Sequence, residues 1–143
     1  ADPRDNASDG MSDRTKAITE QLLTRQRLFQ RTRRLLQDSS YTSILFVLTP
    51  ERLPIQETDR ALLSLTAEKL PVGGVVINRI LPEQADGSFL AKRRLQEKTY
   101  IEDIHKRFKA WRNYSLYLLE EDVQGLDALE AFANNLEQAG FSA

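Results

Sequence analysis

Along this chain the apolar residues alternate between a helical period and short continuous runs, and the switches mark out the elements. From Asp13 to about Gln37 the residues Ile18, Leu22, Phe29 and Leu36 fall on one stripe, with Leu28 and Leu35 beside it. Spacings of this kind predict one long amphipathic helix. Ser12 or Asp13 is suited to cap its start. The preceding residues 1–12 are rich in Asp, Asn, Ser and Gly and have no large apolar side chain except Met11, so they read as a disordered tail.

The period then changes. Ile44-Leu45-Phe46-Val47-Leu48 is continuously apolar, as expected of a strand buried on both faces. Thr49-Pro50-Glu51-Arg52-Leu53-Pro54 ends it, and Pro54 suits a first helical turn. Ile55, Ala61, Leu62, Leu65 and Leu70 mark a helix that Pro71 stops. Val72 to Arg79 is a second buried strand that breaks abruptly into Asn78 and Arg79. Beyond the Asp86-Gly87 turn a helix runs from about Ser88 to Lys109, with Phe89, Leu90, Leu95, Ile101, Ile104 and Phe108 on its apolar side. Tyr114 to Leu119 is a third strand, and Leu126 to about Leu136 a last helix with Leu126, Leu129 and Phe132 inward.

One helix followed by strand–helix units predicts right-handed parallel crossovers, hence an α/β fold: a parallel sheet with flanking helices, preceded by one long helix. Three strands are few for such a sheet, and both its faces need cover. The stretch 41–143 therefore reads as the back part of something larger.

Composition narrows the classes. The 143 residues are 41% hydrophobic and 29% charged, as in a globular domain. No apolar run approaches the roughly 18 residues that cross a bilayer, and no charged-then-apolar leader is visible, so a cytoplasmic location is expected. Cysteine is absent, which excludes thiolate chemistry and disulfides. The net charge of −1 gives no global attraction to nucleic acid, and no nucleic-acid partner is expected. The basic runs at Arg31, Arg33 and Arg34, at Lys92, Arg93 and Arg94, and at Lys106, Arg107 and Lys109 read as solvated helix faces.

No strand is followed by G-x-x-x-x-G-K with Ser or Thr, or by G-x-G-x-x-G, so no phosphate-wrapping loop is present. Gly73-Gly74 comes before the apolar run, as a turn or close-packing feature. His105 is the single histidine and reads as structural or surface. No catalytic group can be assigned from spacing. Asn78 differs, because its carboxamide sets an acceptor beside a donor and so complements the edge of adenine. Sequence pattern alone favours the plainer role of capping the turn after its strand. Strand ends of this kind are where open α/β sheets collect ligands.

Several motifs together then resemble a known family. Phe46-Val47-Leu48-Thr49-Pro50-Glu51-Arg52-Leu53-Pro54, Val75-Val76-Ile77-Asn78-Arg79-Ile80-Leu81-Pro82, Ala85-Asp86-Gly87 with Phe89-Leu90, Arg93-Arg94 with Gln96-Glu97, and Asp122-Val123-Gln124-Gly125-Leu126 are similar, in order, to the C-terminal half of the ArsA-type anion-transporting ATPases. That family includes the arsenite-pump ATPases and the ATPases that target tail-anchored membrane proteins. The resemblance implies a P-loop-NTPase-like sheet and a homodimer closing around ATP with Mg, whose phosphates are held by an N-terminal P-loop half. It implies adenine contacts at Asn78 and Arg79 and in the loop Leu118-Leu119-Glu120. It further implies that residues 13–40 correspond to the last helix of a helical subdomain that binds a membrane-protein or other cargo. Tyr117 and Glu120 stand where proline is common in the family, and the zinc-binding cysteine pair of the eukaryotic targeting factors is absent. The competing reading is a non-catalytic protein-interaction module of the same lineage that lacks a P-loop.

Overall fold

The computed structural model describes the backbone of residues 3–142 and the side chains of residues 12–142. The chain falls into two compact units, residues 1–42 and residues 43–143. The first is built on helix α1 (Pro3–Gln37), which takes in most of the stretch expected to be a tail. Residues 1 and 2 of that stretch, and the side chain of Met11, lie outside the described residues. Ser12 and Asp13 fall inside the helix and do not cap it. Pro3 stands in the first turn instead, where its missing N–H has no partner to lose. The stripe Ile18, Leu22, Phe29 and Leu36 is exposed along its length.

Just beyond α1, Asp38 organises a tight turn. The Ser40 N–H and hydroxyl donate to Asp38 Oδ1 at 2.9 and 2.6 Å, and the Thr42 N–H donates to the Asp38 carbonyl at 2.9 Å. The hydrogen bond from the Ser40 side chain, and then the one from its backbone, favour the ionised carboxylate and hold the Asp38 pKa below its ordinary value.

The second unit runs β1 (Ile44–Leu48), α2 (Arg52–Ala67), β2 (Val72–Ile80), α3 (Ser88–Arg107), β3 (Asn113–Tyr117) and α4 (Gly125–Gln138). The strands form one parallel sheet in the order β1-β2-β3, with Val47 opposite Val76 and Val76 opposite Tyr114. The α/β architecture is the expected one. On one face Leu48, Val75, Ile77 and Ile80 pack with Ile55 and Leu62 of α2 and with Ile104 and Phe108. Each such side chain contributes about 1.5–3 kcal/mol by leaving water. On the other face Val76, Tyr114 and Leu116 lie under Phe132 and Leu136 of α4, and Phe141 meets Tyr114 edge-on with centroids 5.5 Å apart.

Three expectations about burial are corrected. Strand β1 is not covered on both faces: Leu45 and Val47 are exposed, Val47 at 63%. Phe89 and Leu95 of α3 are exposed, as are Leu126 and Leu129 of α4. Leu129 shares the angular stripe of Phe132 and Leu136 but lies toward the helix start, where no described residue covers it. Periodicity identifies a helix face and not how far along that face the cover extends.

Gly73 and Gly74 sit inside β2 rather than before it. A Cβ on Gly74 would stand 2.7 Å from Tyr114 Cε2 and 2.9 Å from the Arg112 carbonyl oxygen, so close packing is the reason for that glycine.

Two non-glycine residues have left-handed backbones, Lys69 (φ 58°) and Arg79 (φ 62°). Lys69 has an ordinary cause. It follows the end of α2, with the Lys69 N–H donating to the Thr66 carbonyl and the Leu70 N–H to the Leu65 carbonyl, both at 3.0 Å. Arg79 lies in the central strand, where pairing with β3 slips between Ile77 and Ile80. Strict alternation would put Ile80 on the face of Val76, yet Ile80 joins the cluster of Val75 and Ile77. The left-handed residue resets the phase and buries Ile80, at a backbone cost of about 1–2 kcal/mol.

Candidate functional site

The C-terminal ends of all three strands lie together because the strands are parallel. There the apolar runs stop and the chain turns polar. After β1, Thr49-Pro50-Glu51 turns tightly, the Glu51 N–H donating to the Thr49 carbonyl at 2.8 Å before α2 starts. After β2, the segment 81–87 is fastened to α3. The Leu81 N–H donates to a Glu97 carboxylate oxygen at 3.0 Å, and Arg94 donates to the carbonyls of Pro82 and Ala85. Arg93 of α3 faces Glu51 at 3.7 Å; both side chains are about half exposed, so this pair adds little stability. After β3, the Leu118 N–H donates to the Ile80 carbonyl at 2.8 Å and carries the ladder past the bulge.

These contacts leave a crevice of about 370 Å³ bounded by Thr49 and Pro50 after β1, by Arg79 and Leu81, by Phe89 on α3, and by Leu118. A second groove of about 230 Å³ opens on the opposite face between β3 and α4, lined by Leu116, Leu119, Phe132 and Asn135 among others.

The expected site residues are thus divided. Arg79 and Leu118 line the crevice together. Leu119 lines the second groove. Asn78 is half-buried and, by alternation from Val76, lies on the α4 side of the sheet at the strand's end; it lines neither cavity. Glu120 is exposed. The crevice also draws on Thr49, Pro50, Phe89 and Arg93, which sequence reasoning quoted in motifs without placing them at a site. The signal available was the general rule that every strand end of a parallel sheet contributes to the same rim.

Chemically the crevice offers apolar walls with guanidinium groups at Arg79 and Arg93. Glu51 faces Arg93, and Glu97 accepts the Leu81 N–H. Among the described residues the exposed Arg79 side chain has neither an ion pair nor a hydrogen bond. His105 is exposed in the last turn of α3. Among the described residues no group of three His, Asp or Glu side chains is placed to hold a metal ion, and no helix is long and apolar enough to cross a membrane. The arrangement can receive a flat, partly apolar group with a polar edge.

Comparison with known proteins adds a family to this geometry. The family model described as anion-transporting ATPase matches residues 3–138. The chain is similar to putative arsenical pump-driving ATPase 2 of Aquifex aeolicus, 33% identical over 117 residues that cover 82% of this chain and 38% of that protein. It is 37% identical over 103 residues to ATPase ARSA2 of Chlamydomonas reinhardtii (70% of this chain, 28% of the relative). It is 26% identical over 109 residues to ATPase GET3A of Arabidopsis thaliana (75% and 31%). The chain therefore spans between 28% and 38% of the length of these curated relatives.

Proposed function

This chain belongs to the anion-transporting ATPase family, and on that premise we propose that it is the C-terminal part of an ATP-driven transport or targeting factor, contributing the edge that receives adenine. The observation that carries the reading is the polar break at the end of β2. This is the central strand, and its fully buried Ile77 is followed at once by the half-buried Asn78 at the strand's end and by Arg79, which lines the crevice. The Asn78 carboxamide pairs with the purine edge as donor and acceptor. Leu118, Leu119 and Glu120 form the loop that closes over the base.

The residues present fit the base end of ATP and not its phosphates. The chain has no phosphate-wrapping glycine loop, and no described cluster suits Mg. Bound ATP supplies the phosphoanhydride bond that an ATPase hydrolyses. The phosphates and Mg belong to the N-terminal P-loop half of the same protein. The open face of β1 at Leu45 and Val47 supports that division, because a parallel sheet needs cover on both faces. In this reading the intact protein works in the cytoplasm as a homodimer, and the α1 unit, as the end of a helical subdomain, couples a membrane-protein or other cargo to the nucleotide state.

The test is Asn78→Ala in the full-length protein. Loss of two good hydrogen bonds weakens ATP binding by about 5- to 150-fold. An unchanged affinity rejects the adenine role.

The exposed stripe of α1, with Leu22 at 60% and Phe29 at 72%, favours a second reading: a non-catalytic module that binds a protein partner through that helix. Circular dichroism melting and native mass of the 143-residue chain discriminate the two. A cooperative monomer indifferent to ATP supports the module, and a partly molten chain supports the missing half.

A further inference from the structure

We propose that α1 is a membrane-surface helix that lies in the headgroup layer of an anionic bilayer; this stands apart from the nucleotide reading above. The starting point is charge. The overall −1 conceals an uneven distribution, because residues 12–37 hold seven of the chain's 20 basic residues against two acidic ones, Asp13 and Glu20. The net charge of that segment is +5. Asp13 moreover faces Lys16 at 3.7 Å.

Placement matters as much as number. Ile18, Leu22, Phe29 and Leu36 form one exposed stripe, about 27 Å long at the helical rise. By the helical period Arg31 and Arg33 fall on its two borders, and Lys16, Arg27 and Arg34 behind it. Arg25 interrupts the stripe, with a stem long enough to lie beside the leucines while its guanidinium reaches the headgroups. A bilayer surface answers each part of this pattern. The stripe sinks among the outer ends of the acyl chains, and the border cations meet lipid phosphates in the same plane. A helix is about 10–12 Å thick, so the cations behind the stripe stay within about one Debye length of the surface. No described helix is long and apolar enough to cross a membrane, so α1 lies along the surface rather than through it. A nucleic acid would use the cations and leave the stripe in water. A protein groove would have to supply acidic groups along both borders as well as an apolar floor, which an anionic lipid surface supplies everywhere.

The experiment measures co-sedimentation of the full-length protein with vesicles of phosphatidylglycerol mixed with phosphatidylcholine, against phosphatidylcholine alone. Binding to the anionic vesicles is expected to be tighter by about 10-fold or more, and to weaken as salt is raised. Leu22→Gln together with Phe29→Gln weakens it by about 10-fold or more, since both side chains leave the acyl layer. Arg27→Gln together with Arg31→Gln weakens it by about 5- to 30-fold. Glutamine is a good helix former, so both variants melt at the wild-type temperature without vesicles. Equal binding to the two kinds of vesicle, or binding to neither, overturns the proposal. Binding that the charge variant loses and the apolar variant keeps overturns it in favour of a bare polyanion contact, such as nucleic acid makes. A melting temperature lowered by the apolar variant shows the stripe packed inside the full-length protein and overturns it as well.

Discussion

Glu97 on α3 accepts the backbone N–H of Leu81 at 3.0 Å, and so ties the exit of the central strand to the helix that follows it. The carboxylate satisfies a partly buried donor that has left the sheet ladder. Replacing Glu97 with Ala strands that N–H and costs about 1–3 kcal/mol. Gln retains an acceptor oxygen and recovers most of the loss. Urea denaturation of the two variants checks this, and equal destabilisation by both would show that the hydrogen bond carries none of the effect.

Gly74 allows the closest approach between β2 and β3. Ala there sets a methyl 2.7 Å from the Tyr114 ring and 2.9 Å from the Arg112 carbonyl. The ring can shift, at the expense of its edge contact with Phe141, but the carbonyl is held as acceptor for the Val75 N–H at 2.8 Å. Gly74→Ala is therefore expected to lose about 1–3 kcal/mol. The double variant with Tyr114→Ala should lose less than the sum of its parts, because the clash with the ring is counted only once. Additive losses would place the strain on the backbone alone.

The order of elements was legible because strands and helices here differ sharply in period, and because Pro71 and the Asp86-Gly87 turn punctuate them. The bulge was not. Nothing in Ile77-Asn78-Arg79-Ile80 announces a left-handed residue, since glycine or asparagine would be its usual sign at position 79, and the burial of Ile80 depends on α2 and α3 across the sheet. Likewise the apolar run Ile44 to Leu48 reports that both faces of β1 suit burial; it does not report that this chain supplies only one cover. Of the crevice's lining, Arg79 and Leu118 were named from a strand that stops in polar residues and from family motifs. Thr49, Pro50 and Phe89 reach the same crevice only through the fold, and Leu119 lines the groove beside α4 instead.

The turn after α1 should respond to acid. Hydrogen bonds from Ser40 lower the Asp38 pKa in the folded chain. A depressed carboxylate pKa stabilises the fold above the unfolded value. That stabilisation fades as pH falls from the ordinary 3.8 through the lower folded value. In a carboxyl-carbon NMR titration Asp38 should titrate below 3.8 in the wild type and return toward it in Ser40→Ala. An Asp38 titration unmoved by that substitution would remove the Ser40 hydroxyl as the cause and leave the backbone N–H.

Val47 separates a self-sufficient chain from one that completes its sheet elsewhere. It is 63% exposed on the open face of β1, beside the buried Val76. In the 143-residue chain Val47→Glu exchanges one solvated side chain for another and should shift stability by no more than about 0.5 kcal/mol. In the full-length protein, a P-loop half that packs on this face would bury the same carboxylate without a partner, which costs several kcal/mol. Denaturant midpoints of both forms, each with and without the substitution, give the comparison. A large loss only in the longer protein places the missing cover over β1. A small loss in both means that this face stays in water, and the sheet is completed, if at all, across its outer edges.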